Sequence, residues 1–469
     1  MNKKRRPLQI WVILILFATS VRAQNAPEVT TWLTKNDRSS LFEKQAQPLK
    51  FTAVTNQNTT ITVNEAETYQ QIDGFGFALT GGSAGHIIKM SATSRADLLK
   101  NVFAWDGNNI GVSYLRLSIG SSDLNERVFS YDDMPEGQTD PELKHFDLGP
   151  DKSDVIPVMK EILRINPHIK ILGSPWSPPA WMKTNGDTRG GRLKPELYPI
   201  YAKYLVKYIQ QMKAQGITID AITIQNEPLH PGNNPSLLLV APDEADFIKN
   251  NLGPAFSAAK ITTKIIIYDH NADRPDYPIS ILSDPRANKY IDGSGFHLYG
   301  GKIEALTTVH DAYPNKNIYF TEQMVVEHEN SPNINIVNPV KRLIVGATRN
   351  WSKVVLEWNL AADPQYKPYT DRGGCPSCQG AVTIDGDKVT RNIAYYSVAH
   401  ASKFVRPGST RIASDENEIL PNVAFKTPAG KRILIVANAS KETQTFNIKY
   451  NGRIATAMLD GGSVATYVW

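Results

Sequence analysis

Residues 197–228 read LYPIYAKYLVKYIQQM, then KAQGITID, then AITIQ, then NEP. In the first block Tyr201, Tyr204, Leu205, Tyr208, Ile209 and Met212 recur at i, i+3, i+4, i+7, i+8 and i+11, which puts them on one face of a helix spanning Leu197–Met212. The block Ala221–Gln225 is a short apolar, β-branched run that reads as a strand. Asn226-Glu227-Pro228 then ends it with polar groups and a proline. Helix, strand and polar strand end make one unit of an alternating α/β fold.

The same alternation extends in both directions. Ile72–Leu79, Val112–Ser118, Ile169–Ser174, Ala221–Gln225, Lys264–Tyr268, Gly295–Leu298, Asn317–Thr321 and Lys353–Glu357 read as strands, with helical stretches between them and after the last. Eight such units predict a (β/α)8 barrel over residues 71–405. A doubly wound open sheet is the competitor. It would be long for eight regular units, and the chain lacks a Gly-rich dinucleotide turn.

Beyond Pro407 the texture changes. Arg432–Ala437, Thr443–Tyr450, Arg453–Leu459 and Ser463–Val468 read as strands, and Asn451-Gly452 is a hairpin signal. Before the barrel, Lys50–Val54 and Thr59–Val63 are strand-like too. Strands from residues 24–70 and 406–469 are therefore expected to form one β-sandwich beside the barrel. Internal repeats and low-complexity segments are missing.

The first residues carry Lys3, Lys4, Arg5 and Arg6, an apolar run from Ile10 to Ala18, and Val21-Arg22-Ala23. This is the layout of an export signal over residues 1–23, cleaved after Ala23. The apolar run is short of the ~20 residues a membrane span needs. The chain has 51 basic and 46 acidic side chains, and five of the basic ones precede position 24, so the remainder is balanced at 46 against 46. Such balance gives no electrostatic reason to expect nucleic acid or an anionic membrane as partner. A secreted protein without stable membrane insertion is expected, periplasmic or extracellular. The only cysteines, Cys375 and Cys378, read as a local disulfide in an oxidising compartment.

Barrel enzymes act at the C-terminal ends of their strands. There this sequence places Asp123, Trp176, Asn226, Glu227, Asp269, His270, His297, Tyr299, Glu322 and Trp358. Two glutamates among indoles and amides suit glycoside hydrolysis. One protonates the leaving oxygen, and the other meets the positive charge that develops at the anomeric carbon. Glu227, after the fourth strand, and Glu322, after the seventh, face each other across a barrel mouth. As the acid, Glu227 needs a raised pKa, which the charge of its partner would supply. Trp176 and Trp358 offer flat faces to a sugar ring, and Asp123 and Asn226 offer hydrogen bonds to its hydroxyls.

Two other chemistries have partial signatures at most in the sequence. Gly81-Gly82-Ser83-Ala84-Gly85 fits the G-x-S-x-G pattern of an esterase elbow, with His400 downstream, but no oxyanion motif accompanies it. No histidine spacing suits a metal, and no cofactor signature occurs, so neither metal nor cofactor is expected. A carbohydrate-binding protein that has lost catalysis would lack one carboxyl, and both are present.

With these residues in view, the chain resembles glycoside hydrolase family 30, which holds lysosomal-type glucosylceramidases and microbial β-1,6-glucanases. The likeness rests on Ile72-Asp73-Gly74-Phe75-Gly76, the run from Ser174-Pro175-Trp176 to Asn185-Gly186, Gln225-Asn226-Glu227-Pro228, Phe320-Thr321-Glu322 and Glu357-Trp358-Asn359-Leu360. It implies retention of configuration, with Glu227 as acid/base and Glu322 as nucleophile. It also implies that Asp123, Trp176, Asn226, His297, Tyr299 and Trp358 hold the glucosyl unit in the −1 subsite. The loop from Gly373 to Ile384 departs from the glucosylceramidase pattern and is similar to that of β-1,6-glucanases. A β-1,6-glucan is thus the expected substrate, with a glucosylceramidase-like β-glucosidase as the alternative.

Overall fold

Eight parallel strands follow one another around a closed barrel in a computed structural model that describes residues 28–327 and 334–469. They are β1 (Gly74–Leu79), β2 (Tyr114–Ile119), β3 (Lys170–Pro175), β4 (Ala221–Thr223), β5 (Lys264–Ala272), β6 (Ile291–Gly301), β7 (Asn317–Glu322) and β8 (Ser352–Asn359). Strand β8 pairs with β1 and closes the ring. Each corresponds to a run read from the sequence. Strand β4 stops earlier than expected, because the chain turns off the ladder towards Glu227. The expected export segment, residues 1–23, lies outside the described residues.

Tight strand approach explains one motif. A Cβ on Gly76 would sit 1.8 Å from the Tyr114 carbonyl oxygen, so only glycine lets β1 and β2 meet there. Inside the ring Tyr114, Leu172, Ala221, Ile266, Tyr319, Val354 and Leu356 fill the base, large beside small. Outside it, the helix Tyr198–Ala214 buries Tyr201, Tyr204, Leu205, Tyr208, Ile209 and Met212, the stripe seen in the sequence. Burying each such side chain contributes roughly 1.5–3 kcal/mol.

Both chain ends join in one further sheet. Its order runs from Leu41–Lys44 through Glu28–Thr34, Val464–Val468, Arg432–Ala437, Asn422–Lys426, Thr410–Ser414, Thr59–Gln71 and Gln444–Tyr450 to Arg453–Leu459. Val29, Phe51 and Ile61 from the first end pack with Leu434, Phe446 and Tyr467 from the last. The helix Ile393–Ser402 is buried on all sides. It touches β1 on one side and Leu41–Lys44 and Val464–Val468 on the other, so it is the seam between barrel and sandwich. At that seam His400 bonds Thr466 and Thr34, each at 2.9 Å.

Between β8 and this helix a small sheet, Ala361–Ala362 with Val382–Asp385 and Lys388–Arg391, holds out a loop. The disulfide Cys375–Cys378 lies in that loop. No helix among the described residues is long and apolar enough to cross a membrane.

Candidate active site

A buried guanidinium organises the mouth of the barrel. Arg116 projects from β2 and is fully shielded from solvent. Its guanidinium donates to a carboxylate oxygen of Glu322, to Ser174 Oγ at 3.0 Å, to Asn226 Oδ1 at 2.8 Å and to Asp269 Oδ2 at 2.8 Å. Strands β2, β3, β5 and β7 and the turn after β4 thus meet on one planar group, whose fork suits several acceptors at once. Arg116 does not stand at a strand end, and the reading of the sequence missed it. A lone Arg within an apolar strand, Tyr114-Leu115-Arg116-Leu117, was the available signal, since a buried charge requires partners.

His297, on β6, is equally buried. Its Nε2 lies 3.1 Å from Asp269 Oδ1 and its Nδ1 lies 3.1 Å from Glu227 Oε1. Burial pushes this imidazole down, but the charges of Glu322, Asp269 and Glu227 carry it up to about 9. At neutral pH both its nitrogens therefore carry protons and donate. Asp269 also accepts from Thr321 Oγ1 at 2.6 Å and Ser174 Oγ at 2.8 Å, and is held well below the carboxylate range against its burial by Arg116 and His297.

Glu227 follows β4 in a left-handed conformation, φ 46°, with its N–H bonded to Asp269 O at 3.0 Å. A non-glycine residue in this region is held there by its surroundings. Glu322 ends β7, where one oxygen meets Arg116 and the other accepts the Tyr299 hydroxyl at 3.0 Å. Tyr299 in turn accepts Met324 N–H at 2.9 Å, which fixes its hydroxyl. One oxygen of Glu227, one of Glu322 and a nitrogen of His297 all lie within 4.8 Å of one another.

The charges here differ from the expectation that Glu227 carries the raised carboxyl. Burial raises Glu227, but the His297 bond and charge outweigh it and leave the carboxyl below its usual range. Burial also raises Glu322; His297 and Arg116 counter it, Glu227 reinforces it, and the net direction is upward. Two cations, Arg116 and His297, face the three carboxyls of Glu227, Asp269 and Glu322, which leaves one negative charge among them uncompensated. Sequence could not place His297 against Glu227.

Trp176 and Trp358 stack at 5.4 Å with planes 30° apart, and Arg116 lies 4.8 Å from the Trp176 ring centre. The buried Trp176 Nε1 has no partner among the described residues, leaving a donor free for a hydroxyl. Asp123 is pushed up to about 8 by burial first and then by the charges of Glu322 and Glu227, so at neutral pH it can also donate. With His230, Asn233, Asn271, Met324 and the two cysteines, these groups line an open cavity of about 250 Å³. The fold thus brings together Asp123, Trp176, Asn226, Glu227, Tyr299, Glu322, Trp358, Cys375 and Cys378, with His297 beneath them.

The serine motif lies elsewhere in function. Ser83 is buried; its Oγ lies 2.6 Å from Asn359 Oδ1 and 2.9 Å from Ala361 O, and accepts Ala361 N–H at 2.9 Å. It braces the start of a helix against the end of β8, while His400 is engaged at the seam.

Comparisons with known proteins bear on both parts of the fold. The family model for the glycosyl hydrolase family 30 TIM-barrel domain matches residues 72–405, and that for the family's β-sandwich domain matches 408–467. An endo-1,6-β-D-glucanase of Neurospora crassa is 33% identical, over 97% of this chain and 98% of its own. The lysosomal acid glucosylceramidase of Mus musculus is 28% identical, over 87% of this chain and 83% of its own. A solved endo-β1,6-glucanase structure superposes with a TM-score of 0.87 at 34% identity, covering 94% of this chain and 99% of that one. Barrel and sandwich are therefore those of a glycoside hydrolase, and the chain belongs to glycosyl hydrolase family 30.

Proposed function

We propose that the protein is a secreted, retaining β-glucosidic hydrolase acting within β-1,6-glucan, with Glu227 as general acid/base and Glu322 as nucleophile. The observation that carries this reading is the approach of the two buried carboxyls, with an oxygen of each within 4.8 Å. Retaining enzymes keep their carboxyls about 5–5.5 Å apart, whereas inverting ones leave about 6.5–9.5 Å for a water.

In the first step Glu322 attacks the anomeric carbon as Glu227 gives its proton to the glycosidic oxygen. The C–O bond to the leaving sugar breaks and a glycosyl ester of Glu322 forms. Glu227, now ionised, takes a proton from water, whose oxygen attacks the same carbon and frees Glu322. Substrate selects the required protonation. The glycosidic oxygen offers an acceptor to a protonated Glu227, and the positive charge growing on the sugar favours an ionised Glu322. Arg116 and Tyr299 hold that carboxylate in place. Trp176, Trp358, Asn226 and Asp123 receive the −1 sugar, with Tyr299 at the rim and His297 beneath.

A glucan substrate is supported by the relatives of that name, by the loop from Gly373 to Ile384, and by the polar rim of the cavity. Likeness to a glucosylceramidase keeps a lipid glucoside as the second reading. Export is supported by the layout of residues 1–23 and by the disulfide, which suits an oxidising compartment. Product analysis on a β-1,6-glucan, glucosylceramide and an aryl β-glucoside tests the proposal. Oligosaccharides from the glucan are expected; an untouched polymer beside cleaved lipid would overturn the substrate assignment and leave the carboxyl pair standing.

A further inference from the structure

An acid that protonates the leaving oxygen stands beside it, so the leaving group lies on the Glu227 side of the cavity. Three polar side chains line that side: His230 and Asn233, in the loop that follows Glu227, and Asn271 at the end of β5. The Asn271 side-chain Oδ1 accepts Tyr299 N–H at 3.0 Å. The His230 ring and the Asn233 amide have no hydrogen-bond partner among the described residues. A bond from His230 N–H to Glu227 O at 2.8 Å makes a tight turn, and the ring then lies over Gly232, where a Cβ would stand 3.1 Å away.

This wall is braced by two other loops. Gly373, beside the disulfide, crosses so closely that a Cβ on it would sit 2.5 Å from Gly232 O and 3.0 Å from Asn233 C. Asn234 is buried and serves all three loops. Its Oδ1 accepts Thr188 Oγ1 at 2.7 Å, its Nδ2 donates to Asp371 O and Oδ1 at 3.1 Å, and its carbonyl accepts the Thr370 hydroxyl. Lys183, also buried, donates to Thr188 O at 2.8 Å and Ser236 O at 2.7 Å. Thr370 N–H reaches Asp123 O at 2.8 Å, so the braced unit runs on to the glycone side. Loops after β3, β4 and β8 thus form one rigid rim, and the side chains it presents beside the acid are uncommitted. Order already present in the free protein need not be created on binding.

Resting on the glucan reading above, we infer that His230 and Asn233 form the aglycone subsite and select a second glucosyl unit by hydrogen bonds to its hydroxyls. A β-1,6 link inserts a methylene between the glycosidic oxygen and the next ring. That spacing carries the ring away from Glu227, towards the outer wall where these two side chains stand. A lipid chain in the same place would cover an imidazole and an amide without giving them partners, which opposes its binding. The selectivity between sugar and lipid aglycones is therefore written in this wall.

The test is steady-state kinetics of His230→Ala, Asn233→Ala and the double variant on a β-1,6-glucan and on 4-nitrophenyl β-glucoside. His230 is exposed and Asn233 half-buried, so the fold should survive, and thermal unfolding checks that it does. The expected result is that kcat/KM on the glucan falls about ten- to a hundredfold in the double variant, mainly through KM, with a smaller change on the aryl glucoside. A ratio of the two activities that stays within about twofold of wild type, a difference too small for a lost hydrogen bond, overturns the aglycone wall. Wild-type enzyme inert on the glucan but active on the aryl glucoside overturns the glucan reading, and this inference with it.

Discussion

His297 Nδ1 lies 3.1 Å from Glu227 Oε1, while the opposite nitrogen of the same ring lies 3.1 Å from Asp269 Oδ1. An imidazole clamped between two carboxylates stays charged, and burial alone would have discharged it. Below its pKa of about 9, His297 presents a cation to Glu227 and Glu322; above it, the cation is gone. Activity, read as kcat/KM, should therefore decline as pH rises through about 9. Asp269→Asn removes one of the charges that raise the ring, so its alkaline limb should move to lower pH. An unmoved limb in a pH–rate profile of that variant would count against the clamp.

Glu322→Gln should reduce turnover by at least about a thousandfold, since an amide cannot form the glycosyl ester. Circular dichroism should show an intact fold. Glu227→Ala should lose most activity on the glucan and far less on aryl glucosides with good leaving groups, where the proton matters little. Equal losses on both substrates would remove Glu227 from the acid role.

Arg116→Ala leaves Asp269 and Glu322 buried without their cation. Breaking a buried pair of this kind costs about 3–5 kcal/mol. Chemical denaturation should show a clearly lower midpoint, and activity should vanish with the positioning of Glu322. A variant as stable as wild type would mean that water replaces the guanidinium.

Reduction of Cys375–Cys378 should change substrate binding more than stability. The bridge spans a sequence separation of three, and so short a loop constrains the unfolded chain little. Both cysteines line the cavity, and Cys378 packs with Trp176 and Trp358. KM is expected to rise several-fold with only a small shift in melting temperature. The reverse pattern would make the bridge a global staple.

Glu357, on β8, is buried away from the cavity between Glu227 and Glu322 and is pushed up by burial to about 8, although Ser397 opposes the shift. Its unfolded carboxyl ionises near about 4.3. Between these values the unfolded state has released a proton that the folded state retains, so stability falls as pH rises from about 4.3 towards 8. Glu357→Gln should flatten that decline in melting temperature. Parallel curves for the two proteins would show that another group governs it.

Much of this molecule was legible along the chain. The stripe on Tyr198–Ala214 and the eight apolar runs carry local periods, and local periods survive in one dimension. Strands Glu28–Thr34, Thr410–Ser414 and Asn422–Lys426 escaped notice because their partners, not their own patterns, make them strands. Thr59–Gln71 runs well past its expected end for the same reason. Its second half, from Asn64 onwards, is largely exposed and polar, and pairing with Thr410–Ser414 holds it extended.

The sequence by itself determined the barrel, the sandwich strands with strong alternation, and the residues that end each strand, because side-chain period and strand order dictate them. Tertiary structure decided which of those residues touch. It gathered four elements on Arg116, set His297 on Glu227, and bound three loops through Asn234. Distances between strand ends depend on the tilt and closure of the whole ring, a sum over hundreds of contacts that no local pattern records. Charge states depend on those distances, and for that reason the balance between Glu227 and Glu322 became readable only in three dimensions.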